Sequence, residues 1–231
     1  MQLYYELTVT TLLQNDIGFT ESGEKIANLI SAAMHLDNEL AAKHVQRGYK
    51  HYVFNNLYPI EADKVYKAGR AYIFKLRSPD AGFINKLKGL LYHVDSTEFE
   101  IMAVAVKSKK ISFIEKITTI TPVVITVDDK NWVSGDDVML LMNRLHANLE
   151  KKYKAFYNEE PEAVQNFAHR MEILNKKPIA HKYKNIKMIG NKLCIWVNDD
   201  EASQKLAFTA MVCGLGEKNS SAGMGFCIEG R

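Results

Sequence analysis

Apolar and polar residues recur along residues 1–106 in a pattern that predicts six main elements. Leu3–Leu12 alternates and is rich in Tyr, Thr and Val, which predicts a strand. An apolar stripe at helical spacing follows from Ser22 and predicts an amphipathic helix, with a second short helix over Glu39–Val45. The remaining segments predict two strands, a helix and a closing strand: His51–Leu57, Gly69–Arg77, Ser78 to about Tyr92, and Glu98–Val106. This order is the split βαββαβ arrangement.

The second half of the chain predicts the same order again. Its predicted elements are a strand at Pro122–Val127, a helix at Asp136–Tyr157, a hairpin of His169–His181 with Lys187–Val197, a helix at Ala202–Cys213 and a strand at Met224–Glu229. We therefore expect an α+β protein of two tandem ferredoxin-like, or RNA-recognition-like, domains. The boundary is expected near Glu115, which gives an N-terminal domain at 1–115 and a C-terminal domain at 116–231.

Composition narrows the class of protein without identifying it. A hydrophobic content of 47% and a charged content of 25% are those of an ordinary folded, soluble protein. Three widely spaced cysteines without a Cys-x-x-Cys pair argue against a disulfide framework or a zinc site. We find no signal peptide, no apolar run of about 20 residues and no His/Asp/Glu cluster with ligand spacing. The expectation is a cytoplasmic protein without a membrane span, a metal or a cofactor.

Positive charge is concentrated in residues 170–192, although the net charge of the chain is only +3. Seven cations stand there against the single acid Glu172, a local charge of +6: Arg170, Lys176, Lys177, Lys182, Lys184, Lys187 and Lys192. A basic hairpin suits phosphate contacts along an RNA stem. A solvated edge hairpin protected by lysines is the other interpretation, and the sequence leaves both open.

His44 stands at the end of a predicted helix and is followed by a glycine turn that carries Tyr49 and Lys50. Histidine titrates near neutral pH and can exchange a proton with a ribose hydroxyl or a leaving oxygen. Lysine can stabilise the extra negative charge of a phosphorus-centred transition state. Spacing alone favours an exposed histidine with solvated neighbours.

The stretch Gly214–Phe226 reads GLGEKNSSAGMGF and contains two Gly-x-Gly pairs. Backbone N–H groups in such a loop can converge on a phosphate oxygen, with Lys218 adding a point charge. No Gly-Lys-Ser/Thr follows, and the loop ends a helix and opens a strand, which excludes a nucleotide P-loop and a Rossmann turn. A flexible turn between the last two elements remains the alternative.

This helix, glycine loop and closing strand resemble the C-terminal signature of the CRISPR-associated repeat-processing endoribonucleases. These proteins belong to the repeat-associated mysterious protein superfamily. One departure is that Ser221-Ala222 lengthens the span to the second glycine pair by one residue. The resemblance implies two ferredoxin-like domains and metal-independent cleavage of CRISPR precursor RNA within its repeats. It adds to the basic hairpin a set of RNA-binding positions in the loop: Gly214, Gly216, Lys218, Asn219, Ser220, Gly223 and Gly225.

The same resemblance implies roles for the residues around His44. His44 would be the general acid or base, Lys50 the charge stabiliser and Tyr49 a third participant. Some relatives place a tyrosine base in the first helix where this chain has Ser31, so His35 and His51 are substitutes and the base stays open. The implied reaction is attack of the ribose 2′-hydroxyl on the adjacent phosphate, leaving a cyclic phosphate and a 5′-hydroxyl.

The implied partners are CRISPR repeat RNA and the multi-subunit interference complex that receives the mature RNA, with no membrane and no small-molecule cofactor. The main alternative is a non-catalytic subunit that holds guide RNA and does not need His44. A ferredoxin-like metabolic enzyme or sensor whose glycine loop binds a nucleotide is a third possibility. The repeat sequence, the cleavage position and the oligomeric state are not determined by the sequence.

Overall fold

A computed structural model describes residues 2–133, 137–184 and 186–230 of the chain. The elements of its first half are β1 (Gln2–Leu13), β2 (Ile17–Gly18), α1 (Ser22–His35), α2 (Asn38–Val45), β3 (Val53–Phe54), β4 (Val65–Tyr66), β5 (Ala71–Ser78), α3 (Ala81–Leu90), a 3-10 turn (Leu91–His93) and β6 (Phe99–Ile111). Four of these strands form an antiparallel sheet in the order β3-β5-β1-β6. The inward residues of this sheet pack with α1 and α3 in one core.

The second half repeats the arrangement. Its elements are β7 (Lys116–Thr119), β8 (Thr126–Val127), β9 (Lys130–Asn131), α4 (Val138–Tyr157), β10 (Ala168–Ile173), β11 (Ile179–Tyr183), β12 (Ile186–Gly190), β13 (Leu193–Val197), α5 (Glu201–Cys213), α6 (Asn219–Ala222) and β14 (Cys227–Glu229). The sheet order β10-β13-β7-β14 matches that of the first sheet when strands are counted within each half. The predicted fold class, two tandem ferredoxin-like domains, is confirmed.

Aspartate side chains begin the helices that position the site. Asp37 accepts a hydrogen bond from the backbone N–H of Leu40 at 3.0 Å, which starts α2 immediately after α1. Asp137 and Asp200 cap α4 and α5 in the same way. The predicted start of α4 at Asp136 lies outside the described residues.

One strand prediction in the second half was wrong, and the predicted hairpin is confirmed with an interruption. The first sheet strand of this half is β7 at Lys116–Thr119, whereas Val123 and Val124 in the predicted strand Pro122–Val127 make only isolated bridges. The residues of this segment are apolar because they are buried, and Pro122 has no N–H to donate to a strand ladder. The predicted hairpin of His169–His181 with Lys187–Val197 is present as two nested strand pairs, the outer β10 with β13 and the inner β11 with β12.

Arg77 of the first half forms a buried ion pair within that half and also contacts the second half. Arg77 donates from Nε to Glu6 Oε2 at 2.7 Å and from a terminal nitrogen to the carbonyl of Cys227 at 2.6 Å. Its guanidinium also lies 4.4 Å from the centre of the Phe226 ring. Strands of the first sheet end at Ile111 and those of the second begin at Lys116, so we retain 1–115 and 116–231 as the proposed domains.

Within the described ranges, no helix has both the length and the apolar character that crossing a membrane requires.

Candidate active site

His44 lies in the last turn of α2 and faces α1. Its Nε2 is 3.1 Å from Oγ of Ser31, and which atom donates depends on the histidine tautomer. The His35 ring lies edge-on to the His44 ring with centroids 5.1 Å apart, and His35 Nδ1 is 2.7 Å from the carbonyl oxygen of Ser31. The structure therefore brings together His44 and His35, two of the residues considered for proton transfer, with Ser31 between them.

Lys50 closes the turn after α2. Its ammonium donates to the carbonyl oxygens of Lys43 at 2.6 Å and Gln46 at 2.5 Å, where the helix C-terminus presents unpaired carbonyls. Burial lowers the pKa of Lys50. Burial also lowers the pKa of His44, and the charges of His35 and Lys50 lower it further. His44 is therefore mainly neutral at pH 7 and able to accept a proton.

Tyr49 and His51 lie apart from the cluster of His44, Ser31 and His35. They line a cleft of about 410 Å³ between the turn after α2 and the second domain. The Tyr49 hydroxyl lies 3.5 Å from Asn148 Nδ2 on α4, and the His51 ring lies 5.2 Å from that of Phe156. Burial, with the nearby charge of Lys152, lowers the pKa of His51 to about 4. The predicted trio is thus divided: Tyr49 lines the cleft, Lys50 lines it and also acts on the pKa of His44 through its charge, and His44 lies against α1.

Cations stand on both walls of this cleft. Lys50 lies on the first-domain wall, and Arg144 and Lys151 of α4 and Lys218 of the glycine loop lie on the other. The acid Glu217 is also present, but its carboxylate accepts hydrogen bonds from the backbone N–H and the hydroxyl of Thr126 at 3.0 and 2.9 Å. The remaining positive charge suits a polyanion in the cleft.

The glycine loop is organised around a buried lysine that the sequence did not single out. Lys152 of α4, 2% exposed, donates to the carbonyl oxygens of Gly214 at 2.6 Å and Gly216 at 2.7 Å. It also donates to Asn219 Oδ1 at 2.7 Å, and Asn219 Nδ2 in turn reaches the carbonyl of Met224 at 2.7 Å. Burial lowers the pKa of Lys152 to about 8. Loop carbonyls therefore face an internal cation, whereas Lys218 and Ser220 line the cleft.

Two glycines allow the loop to dock closely. A Cβ on Gly223, which has φ +69°, would lie 2.7 Å from the Phe54 ring of the first domain. A Cβ on Gly225 would lie 1.9 Å from the carbonyl oxygen of Leu215 within the loop. The glycines serve this packing, which fixes the loop against the domain that carries His44.

The basic hairpin continues the positive surface. Lys176, Lys177, Lys184 and Lys187 are exposed. Lys182 instead pairs with Glu21 at 2.8 Å, and Arg170 pairs with Glu172. The ammonium groups of Lys184 and Lys218 lie 5.6 and 5.9 Å from the ring of Tyr183, so the hairpin tip adjoins the glycine loop.

In the part of the chain that the structure describes, no three His, Cys, Asp or Glu side chains are grouped so that they could hold a metal ion.

Comparisons with known proteins agree on one family. A family model described as CRISPR associated protein Cas6, C-terminal, matches residues 106–228. The CRISPR-associated endoribonuclease Cas6 2 of Methanocaldococcus jannaschii is 29% identical over 211 residues, which cover 82% of this chain and 85% of the relative.

Two solved structures show the same fold. One, described as CRISPR associated protein Cas6, has a TM-score of 0.73 at 22% identity and covers 99% of this chain and 100% of its own. The other, described as a RAMP protein binding different RNA substrates, has a TM-score of 0.76 at 16% identity, with 98% and 100% covered.

Proposed function

The chain belongs to the CRISPR-associated Cas6 family, whose model matches more than half of its length, and we propose that it is an endoribonuclease that cleaves CRISPR precursor RNA within each repeat. The similar protein from Methanocaldococcus jannaschii is named an endoribonuclease. The observation that carries the proposal is the cluster of His44, Ser31 and His35 with Lys50 beside it, at the border of a cationic cleft.

In the proposed reaction, neutral His44 takes the proton of a ribose 2′-hydroxyl at Nε2, the position where it now meets the Ser31 hydroxyl. The 2′-oxygen forms a bond to the adjacent phosphorus as the bond from phosphorus to the 5′-oxygen breaks. The products are a 2′,3′-cyclic phosphate and a 5′-hydroxyl, whose oxygen takes up a proton. His35 is the nearest candidate donor, since its ring contacts that of His44. The proposed reaction is balanced in atoms and protons without a metal ion.

Lys50 is proposed to stabilise the charge that develops on the phosphate oxygens. Two of its ammonium protons meet the carbonyls of Lys43 and Gln46, so its head group is already fixed in place before RNA binds. Tyr49 is proposed to contact the RNA beyond the reacting phosphate. Burial and the charge of Glu217 raise the pKa of its phenol, which therefore stays a hydrogen-bond donor at neutral pH.

The RNA is proposed to run from the His44 cluster into the cleft and along the hairpin. Arg144, Lys151 and Lys218 would meet phosphates in the cleft, and the exposed lysines of the hairpin would extend this contact. Such contacts position the RNA without reading its sequence. We further propose that the mature RNA passes to the multi-subunit interference complex.

The test is incubation of the protein with a labelled RNA carrying one repeat, in excess EDTA. A second RNA carries a single 2′-deoxy nucleotide at the cut site. We expect cleavage in EDTA and none of the deoxy RNA. His44→Ala should slow cleavage by about 100-fold or more, the usual scale for losing a general acid or base, with RNA affinity retained.

His93→Ala, at an exposed histidine of the same domain, is the matched control and should cleave normally. Undiminished cleavage by His44→Ala would remove the catalytic assignment. Salt-sensitive RNA binding without any cleavage by the wild type would instead identify a guide-RNA-holding subunit.

A further inference from the structure

The two faces of the C-terminal sheet differ in character. Ile117 on β7 and Leu193, Ile195 and Val197 on β13 belong to the core that α4 and α5 cover. Because side chains alternate along a strand, Lys116 and Trp196 lie on the opposite face. Trp196 is partly exposed there, whereas Trp132, the other tryptophan of the chain, is 4% exposed. This outer face is therefore turned away from the core.

Trp196 lies between two cations at the same level of the sheet. The strand register pairs it with Arg170 on β10 and with Lys116 on β7. The Arg170 guanidinium lies 4.3 Å from the centre of the indole ring system, and the Lys116 ammonium lies 5.8 Å from it. Arg170 is exposed and also pairs with Glu172. A partly exposed indole and an exposed guanidinium thus share one patch, with the half-buried Lys116 beside them.

This combination is the chemistry that binds single-stranded nucleic acid. Nucleobases stack on indole rings and on guanidinium planes, and adjacent cations meet the phosphates between the bases. A protein partner would require a wider apolar area, whereas this patch places its aromatic ring among charges. Charge complementarity therefore favours an RNA strand as the occupant.

We propose that Trp196 and Arg170 form a second RNA-binding site, at which one base of a single-stranded segment of the substrate stacks on the indole and guanidinium groups. The inference rests on the proposed function only in taking RNA as the substrate. α4 packs against the core face of the sheet and lines the cleft, so the new site lies across the sheet from the site of cleavage. It would hold RNA that flanks the repeat region in the cleft and would act on affinity, not on the reacting atoms.

Tryptophan fluorescence tests the site directly. Trp132→Phe leaves Trp196 as the single fluorophore, and Trp196→Phe leaves the buried Trp132. We expect a short unstructured RNA to quench the first variant and to leave the second unchanged. If Trp132→Phe does not fold, the same titration of the wild type against Trp196→Phe gives the Trp196 signal as a difference.

Affinity supplies the second readout, with a non-cleavable 2′-deoxy repeat RNA made with and without its single-stranded flank. Trp196→Leu should weaken binding of the flanked RNA by roughly 5- to 100-fold, the scale of one base stacked on an aromatic side chain. Binding of the RNA without its flank and the cleavage rate at saturating RNA should not change.

The proposal would be overturned if RNA does not quench the fluorescence of Trp196 and if the wild type and Trp196→Leu bind the flanked RNA with equal affinity. This holds even if the wild type cleaves normally. Loss of all repeat cleavage in the wild type would instead refute the proposed function. The unstructured RNA still reports on Trp196 in that case, so the two failures are distinguishable.

Discussion

Replacing Lys152 by methionine removes the cation around which the glycine loop is built. The ammonium donates to Gly214 O, Gly216 O and Asn219 Oδ1, all within 2.7 Å and all buried. Methionine has similar length and no donor, so it leaves three acceptors without a partner while keeping most of the side-chain volume.

The magnitude follows from two opposing effects. Each buried acceptor left unpaired costs about 1–3 kcal/mol. Relief of the cost of burying the Lys152 charge offsets part of that sum. We therefore expect Lys152→Met to lower the free energy of unfolding by about 3 kcal/mol. For a chain of this size each kcal/mol corresponds to about 2–4 °C, so the Tm should fall by roughly 6–12 °C.

Thermal unfolding followed by circular dichroism measures this effect. Lys151→Met is the matched control, because Lys151 is exposed on the same helix, and its change in stability should stay within about 0.5 kcal/mol. Repeat RNA cleavage by Lys152→Met, measured well below its Tm, should also fall because the loop forms a wall of the cleft. Equal Tm values for the two variants would refute the reasoning that Lys152 holds the loop.

Three further predictions concern charge. Burial raises the pKa of Glu6, but Arg77 and Lys109 outweigh it and lower the pKa from 4.5 to about 2, so the stabilisation is present above pH 4.5 and lost as the pH falls to about 2. The difference in unfolding free energy between wild type and Glu6→Gln should shrink by about 3 kcal/mol over that range, and a constant difference would contradict the ion pair. Because the pKa of His44 is lowered from 6.5, its proton-accepting form persists into mild acid, so as the pH is lowered from 7 the cleavage rate should begin to fall only below pH 6.5; a fall that begins above pH 6.5 during this acidification would point to another base. Lys177→Ala and Lys184→Ala should each weaken RNA binding and reduce its salt dependence by about one phosphate contact, and unchanged slopes in filter-binding titrations would exclude the hairpin from the RNA path.

The regular elements were predictable where they rest on local periodicity. The alternation over Leu3–Leu12 and the apolar stripes from Ser22 and along Asp136–Tyr157 specify a strand and two helices, because period 2 and period 3.6 place apolar groups on one face. The prediction failed over residues 122–125, where Val123 and Val124 are buried under other segments and make only isolated bridges; only Thr126–Val127 pairs, as β8 with β9.

The candidate site was predicted in its parts but not in its arrangement. His44 and Lys50 are close in the chain, and in the structure they are near enough for the charge of Lys50 to lower the pKa of His44. Ser31 and His35 reach His44 only because α1 and α2 pack side by side, and Tyr49 leaves the group because the turn after α2 directs it toward α4. Roles for these residues stay predictions until cleavage is measured.

The repeated βαββαβ order, the glycine loop and the chemical types near His44 could be identified from the sequence, since periodicity, caps and turns depend on residues close in the chain. Helical spacing already places Lys152 on the apolar face of α4, three residues after Leu149 and four before Phe156, unlike Lys151 and Lys154. What a buried lysine binds there depends on segments distant in the chain. The carbonyls of Gly214 and Gly216 that hold it lie 62 and 64 residues further along the chain, and they converge on its ammonium because α4 and α5 pack together over one sheet.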